Sequence, residues 1–175
     1  MKRSLISASV LSAVFMSAGV FAAEYDSGVL NINGKVVGTT CQFVDTNTAE
    51  IRLNEIGADK VSSLDPGQIY DAVTNQTQVP LKIQCQPGVT PRITFSSTQF
   101  DSNDITYNNG SAKGVGFAVY YENTDNKIDP QTGVTLEPNS EGEYDLTFLA
   151  RYARLEGSVA SGDVSSTLTL TVVTD

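Results

Sequence analysis

Over most of this chain apolar and polar residues alternate with a period of two, the spacing of strands rather than helices. Gly28-Val29-Leu30-Asn31-Ile32-Asn33-Gly34 opens the pattern, with Leu30 and Ile32 on one face and the two asparagines on the other. Residues 35–44 continue as a second strand candidate containing Val36, Val37, Cys41 and Phe43, and 49–53 make a short third. Residues 54–78 read as a long polar connection with room for helical turns. Within it, Asp65-Pro66-Gly67 signals a turn, because Pro presets φ and Gly tolerates the left-handed region. Residues 79–85 alternate again, with Pro80 suited to an edge or a strand start because it lacks an N–H. A strand follows at 92–96, and 101–112, rich in Asn, Asp and Ser, reads as a loop.

The second half is cleaner. Residues 114–122 set Val115, Phe117, Val119 and Tyr121 on one face, and 123–126 turn that strand into a hairpin. Residues 143–155 read as one long strand with Tyr144, Leu146, Phe148, Ala150 and Tyr152 in register. Thr167-Leu168-Thr169-Leu170-Thr171-Val172 is the most regular alternation in the chain. Short strands punctuated by Gly, Pro and Asn predict an all-β fold, a sandwich, in one domain without internal repeats.

The start of the chain follows another rule. Lys2 and Arg3 precede an apolar or small-residue run from Leu5 to Val20, which ends in Val20-Phe21-Ala22 with Ala23 next. A charged start, an apolar middle and small residues at the end are the layout of a secretory signal peptide, residues 1–22, cut after Ala22 or after Ala23. The lesser reading is a membrane-spanning helix, disfavoured by the many Ser, Ala and Gly residues. No second long apolar run follows, so no membrane span is expected in the mature chain.

Charge and composition narrow the chemistry. The 175 residues carry 20 acidic and 11 basic side chains. Loss of Lys2 and Arg3 leaves 9 bases against 20 acids, and so acidic a surface repels nucleic acid and anionic lipid. With no histidine, the Ser–His and Cys–His nucleophile systems and His-rich zinc sites are excluded. No catalytic residue, metal site or cofactor is expected. The carboxylates show no spacing that selects a glycosidase pair, and Asn123, Asp125 and Asp129 lack the spacing and terminal Glu of a calcium loop. Two cysteines, Cys41 and Cys85, in an exported chain most simply form one disulfide.

The order of these features resembles the structural pilins of chaperone–usher fimbriae in Gram-negative bacteria. The features are a signal segment, Gly-Val-Leu-Asn-Ile-Asn-Gly, Cys41 seven residues after Gly34, and Val79-Pro80-Leu81-Lys82-Ile83-Gln84-Cys85. Phe148-Leu149-Ala150-Arg151-Tyr152 and the alternating C-terminal strand complete the set. The resemblance implies an incomplete immunoglobulin-like β-sandwich (pilin fold), residues 34–175, preceded by a donor-strand extension, residues 23–33. Its partners would be a periplasmic chaperone, an outer-membrane usher, and other copies of itself or related pilins. The chain would be a non-enzymatic subunit that polymerises by donor-strand exchange, an example of strand addition to a sheet edge, into a surface fibre supporting cell adhesion. The alternative role is a minor tip or adaptor subunit that binds a host glycan directly. Gly28, Leu30 and Ile32 match the donor strand, and Leu168, Leu170 and Val172 the strand that borders the groove and pairs with the chaperone. Family members commonly carry an aromatic residue one position before the end, where this chain has Thr174 and then Asp175. On periodicity alone, Leu30 and Ile32 fit equally the first strand of a self-complete sandwich.

Overall fold

The computed structural model describes residues 28–36 and 40–174, and within 28–36 the backbone together with the side chain of Asn31. Residues 1–27, which hold the expected signal peptide and the first part of the extension, lie outside the described residues.

Among the described residues eleven strands run in chain order: β1 (Gly28–Val36), β2 (Cys41–Val44), β3 (Thr48–Leu53), β4 (Asn75–Gln76), β5 (Leu81–Cys85), β6 (Pro91–Phe95), β7 (Val115–Tyr121), β8 (Val134–Thr135), β9 (Glu143–Leu146), β10 (Phe148–Arg154) and β11 (Val164–Thr174). They form a five-stranded sheet, β3-β1-β11-β6-β8, and two three-stranded sheets, β4-β10-β7 and β2-β5-β9. One buried cluster draws on all three, from Ile51, Leu168 and Leu170 to Leu81, Ile83, Phe117 and Phe148. Phe148 joins the layers, with its ring centroid 6.0 Å from those of both Phe95 and Tyr121. The result is the expected all-β sandwich.

The alternating segments became strands close to their expected limits. The 54–78 connection holds one short helix, α1 (Ala58–Ser62), anchored by buried Val61. The turn at Asp65-Pro66-Gly67 closes as expected, with the Gln68 N–H donating to Asp65 O at 2.9 Å and Gly67 at φ 87°. The hairpin after β7 also forms, the Tyr121 N–H donating to Asn126 O at 2.9 Å.

Four features differ from the expectation. The 35–44 strand candidate is divided, β1 running to Val36 and β2 beginning at Cys41. The 143–155 strand is broken at Thr147: β9 pairs with β5 and β10 pairs with β7, so one stretch of chain serves two sheets. The 101–112 loop sends Ile105 and Thr106 into the interior, both at 0 % exposure. There they cover the second face of β7, whose seven residues are all buried. β11 begins at Val164, three residues ahead of the alternating run.

Candidate functional site: the slot between β3 and β11

β1 lies between β3 and β11 and hydrogen-bonds to both. It runs antiparallel to β3 and parallel to β11, the one parallel pairing among the described strands. The sheet is completed by a segment joined to the rest of the domain through residues 37–40.

The strands on either side are built to receive it. On β3, Ala49, Ile51 and Leu53 are buried while Thr48 and Arg52 are exposed; on β11, Val164, Ser166, Leu168, Leu170 and Val172 are buried while Thr167 and Thr169 are exposed. This is strand pleating with one face to the core. Position 28 lies opposite Leu53 and Val164, position 30 opposite Ile51 and Ser166, and position 32 opposite Ala49 and Leu168. Bulk alternates between the rows of positions 30 and 32, large Ile51 facing small Ser166 and small Ala49 facing large Leu168, so these two rows keep a similar volume, while Leu53 and Val164 flank Gly28. Positions 34 and 36 fall opposite Leu170 and Val172. Gly28, Leu30 and Ile32 thus share rows with buried partners, while Asn31, in the row of exposed Thr167, is itself exposed. At the Gly28 end the slot meets a hollow of about 30 Å³ walled by Ile56, Val61, Val115, Tyr152 and Val164.

Backbone polarity singles out this edge of β11. In an extended strand, successive N–H and C=O pairs point alternately to the two sides. Residues 165, 167 and 169 point away from β1 and are satisfied within the domain. The Asn109 N–H donates to Ser165 O at 2.7 Å, and the Ser165 N–H to Asn108 Oδ1 at 2.8 Å. The side-chain amide of Gln99 stands in for a strand, its Nε2 donating to Thr167 O at 2.8 Å and its Oε1 accepting from the Thr169 N–H at 2.9 Å. From Leu170 onward β6 takes over. The backbone groups of Ser166, Leu168, Leu170 and Val172 therefore face the slot, where unpaired buried N–H and C=O groups would be costly. Leu168, Leu170 and Val172, buried on β11, lie opposite positions 32, 34 and 36 of β1; Gln99 and Asn108, which close the opposite edge, gave no periodic signal in the sequence.

The slot floor is polar at one point. The Ser166 hydroxyl donates to Tyr107 O at 2.7 Å, so in its 2.8 Å contact with Thr106 it accepts; Thr106 Oγ1 in turn accepts from the Phe117 N–H at 3.0 Å. This relay satisfies a buried serine beneath position 30.

The root of β1 is held by covalent and polar contacts. Cys41 and Cys85 stand opposite each other on β2 and β5 and are disulfide-bonded, as expected. Closing a loop with a sequence separation of 44 restricts the unfolded chain by about 4 kcal/mol on the entropy model. Thr40, beside Cys41, accepts at its carbonyl from the Gln86 N–H at 2.8 Å, and its hydroxyl shares a 3.3 Å hydrogen bond with that of Thr174 at the end of β11. Thr174 thus borders the root of β1.

Among the described residues, no group of three or more His, Cys, Asp or Glu side chains is placed to hold a metal, and no helix is long and apolar enough to cross a membrane. Asp129, one of the acidic residues of the 123–129 stretch, is used locally. Hydrogen bonds from the Gln131 N–H and the Thr132 side chain hold its carboxyl below its ordinary range. The arrangement is a strand position between the edges of β3 and β11, with buried residues in its rows.

The chain matches the family model described as fimbrial protein over residues 30–174. It is 32 % identical, over the full length of both chains, to the uncharacterized fimbrial-like protein YehD of Escherichia coli K12. It is 28 % identical to the uncharacterized fimbrial-like protein SfmA of the same strain, across 97 % of each chain. Long polar fimbria protein A of Salmonella typhimurium LT2 is also 28 % identical, over 93 % of this chain and 90 % of its own.

Proposed function

Because this chain belongs to the fimbrial protein family, we propose that it is a structural subunit of a surface fimbrium that polymerises by donor-strand exchange and supports cell adhesion. Segment 23–33 is the donor, and the slot between β3 and β11 is the acceptor of the next copy. Export through the periplasm with a chaperone, and assembly at an outer-membrane usher, belong to the same reading.

The observation that carries it is the slot itself. The body from Thr40 onward supplies two strand edges with buried rows of alternating bulk, and the strand between them is joined to that body at one end only. Such a slot cannot stay empty, because it would leave backbone groups unpaired and apolar rows wet. An incoming strand that buries Leu30 and Ile32 gains about 1.5–3 kcal/mol per side chain, with about 1 kcal/mol net per backbone hydrogen bond. A contact of that size persists through slow unfolding as much as through equilibrium strength.

The test is to replace Leu30 and Ile32 together by Asp, or to delete residues 24–33, in cells that make the parent fibre. The variant subunits should reach the periplasm and yield no fibres. Parent-like fibres from either variant would refute the donor assignment.

A further inference from the structure

We propose that Asn109 is a site of spontaneous covalent modification, losing its side-chain ammonia to attack by Gly110, and that Asn108 guards it while the turn they share sits on β11. The inference does not depend on the subunit reading.

Composition points to amide chemistry. Outside residues 1–22 the chain has no methionine, it has no tryptophan or histidine anywhere, and both cysteines are in the disulfide. Oxidation therefore finds few side chains to attack, and asparagine stands out among the thermolabile residues that remain. Asn followed by Gly is the most reactive case, because glycine has no Cβ to shield its nitrogen or restrict its backbone. Two such pairs occur, Asn33–Gly34 on β1 and Asn109–Gly110 in the loop before β7.

In the reaction the Gly110 nitrogen bonds to Asn109 Cγ and the Cγ–Nδ2 bond breaks. Nδ2 leaves as ammonia, taking the Gly110 amide proton, and a cyclic imide remains. Water then opens the ring at one of its two carbonyls, giving aspartate or isoaspartate. No other reactant is needed.

The fold holds this step closed. The Gly110 N–H, whose nitrogen is the nucleophile, donates to Asn108 Oδ1 at 2.8 Å, so its proton is held and it is turned towards Asn108. The same Oδ1 accepts from the Ser165 N–H at 2.8 Å, and Asn108 Nδ2 donates to Ala112 O at 2.8 Å. Asn109 is exposed to water, but its N–H is tied to Ser165 O at 2.7 Å. A larger residue cannot replace Gly110, because a Cβ there would come within 2.1 Å of Asp163 O. Packing thus demands the labile dipeptide, and the neighbouring amide protects it. When the turn lifts from β11 in a local opening, the Gly110 nitrogen is free to reach Asn109 Cγ. Isoaspartate then adds a main-chain methylene between the Asn109 and Gly110 nitrogens, so the two no longer match their partners together.

The test holds the purified full chain in warm, mildly alkaline buffer and follows exchange of amide for carboxyl at residue 109 by peptide mass spectrometry, folded and in concentrated urea. In urea, the parent and Asn108→Ala should react equally fast, since the reacting atoms are the same. Folded, Asn108→Ala should react about five- to tenfold faster than the parent, the factor that one hydrogen bond carries. Gly142→Ala, where the added Cβ meets nothing within 4 Å, controls for general loss of stability. With the two variants brought to equal stability by urea, only Asn108→Ala should be accelerated. Asn109→Gln should remove the signal. The proposal is overturned if the folded parent reacts at residue 109 as fast as the unfolded one, or if Asn108→Ala is no faster than Gly142→Ala at equal stability. Should Asn108→Ala not fold, the comparison of folded with unfolded parent decides: slower reaction when folded supports the guard, and equal rates refute it.

Discussion

The hydroxyls of Thr106 and Ser166 meet at 2.8 Å in the interior, 60 residues apart in sequence and each all but inaccessible to solvent. Thr106 comes from a segment that looks like loop, and Ser166 from the strand that edges the slot. Their contact ties the cover of β7 to the slot floor. Ser166→Ala leaves the Tyr107 carbonyl and the Thr106 hydroxyl without their partner and should cost about 1–3 kcal/mol. Thr106→Val does the same to the Phe117 N–H. In urea unfolding, the double variant should lose clearly less than the two single losses combined, because both remove one relay. Strict additivity would mean the relay carries no shared energy.

Gln99 makes a second prediction, on the opposite edge of β11. Its amide offers one donor and one acceptor to a strand that needs both. Gln99→Leu should destabilise the domain by about 0.5–1.5 kcal/mol, the net worth of hydrogen bonds whose backbone partners at these exposed positions can turn to water. Gln99→Glu keeps an acceptor for the Thr169 N–H but turns a carboxylate oxygen towards the Thr167 carbonyl. At neutral pH it should therefore be at least as damaging as Leu, and it should recover as the carboxyl is protonated. A Glu variant as stable as the parent at pH 7 would show that the amide is not needed as a donor.

The fold imposes a direction on alkaline stability. Burial, with Glu122, Asp145 and Glu137 adding negative charge, raises the Tyr121 phenol well above its ordinary value of 10.0. Burial also raises Tyr120, against a partial offset from Arg151. A raised folded value means that folding favours the neutral phenol. That contribution is complete below pH 10 and drains away as pH rises from there towards the folded value. The stability of the parent should fall in this window, with tyrosinate absorbance rising together with unfolding. Tyr121→Phe should flatten part of the fall, and an unchanged alkaline slope would remove Tyr121 from the account.

Much of the sandwich was legible because strands buried on one face write their burial as alternation. Leu168, Leu170 and Val172 were placed on the buried face of β11 by that rule. Ile105 and Thr106 were not, because two buried residues in a polar stretch make no period; they are held by β7 across long sequence distance. The break at Thr147 was equally silent. Tyr144, Leu146, Phe148, Ala150 and Tyr152 keep their alternation through it, so the pattern records a continuous inward face and says nothing about which neighbour each half pairs with. For Leu30 and Ile32 the alternation marks a strand made to be covered on one side, and it is the same whether the cover belongs to this molecule or to the next.

Gly116 gives the last prediction. It sits inside β7, where a side chain would ordinarily help, yet a Cβ built there would come within 2.1 Å of Thr106 O and 2.9 Å of Ile105 Cγ2. The 105–106 segment can lie on β7, with the Thr106 N–H donating to Phe117 O at 2.9 Å, because position 116 has no side chain. Gly116→Ala must lift that segment and should cost about 1–3 kcal/mol or more through overpacking. Gly142→Ala is the control: its φ of 78° strains a side chain, but nothing lies within 4 Å of the added Cβ, so about 1 kcal/mol is expected from backbone conformation alone. The two should also differ in kind. Lifting residues 105–106 pulls Thr106 from Ser166, so Gly116→Ala should speed amide exchange in the first half of β11 and loosen the floor under position 30. Gly142→Ala should leave those amides protected. Equal protection of β11 in both variants would mean that the cover over β7 and the slot are not mechanically joined.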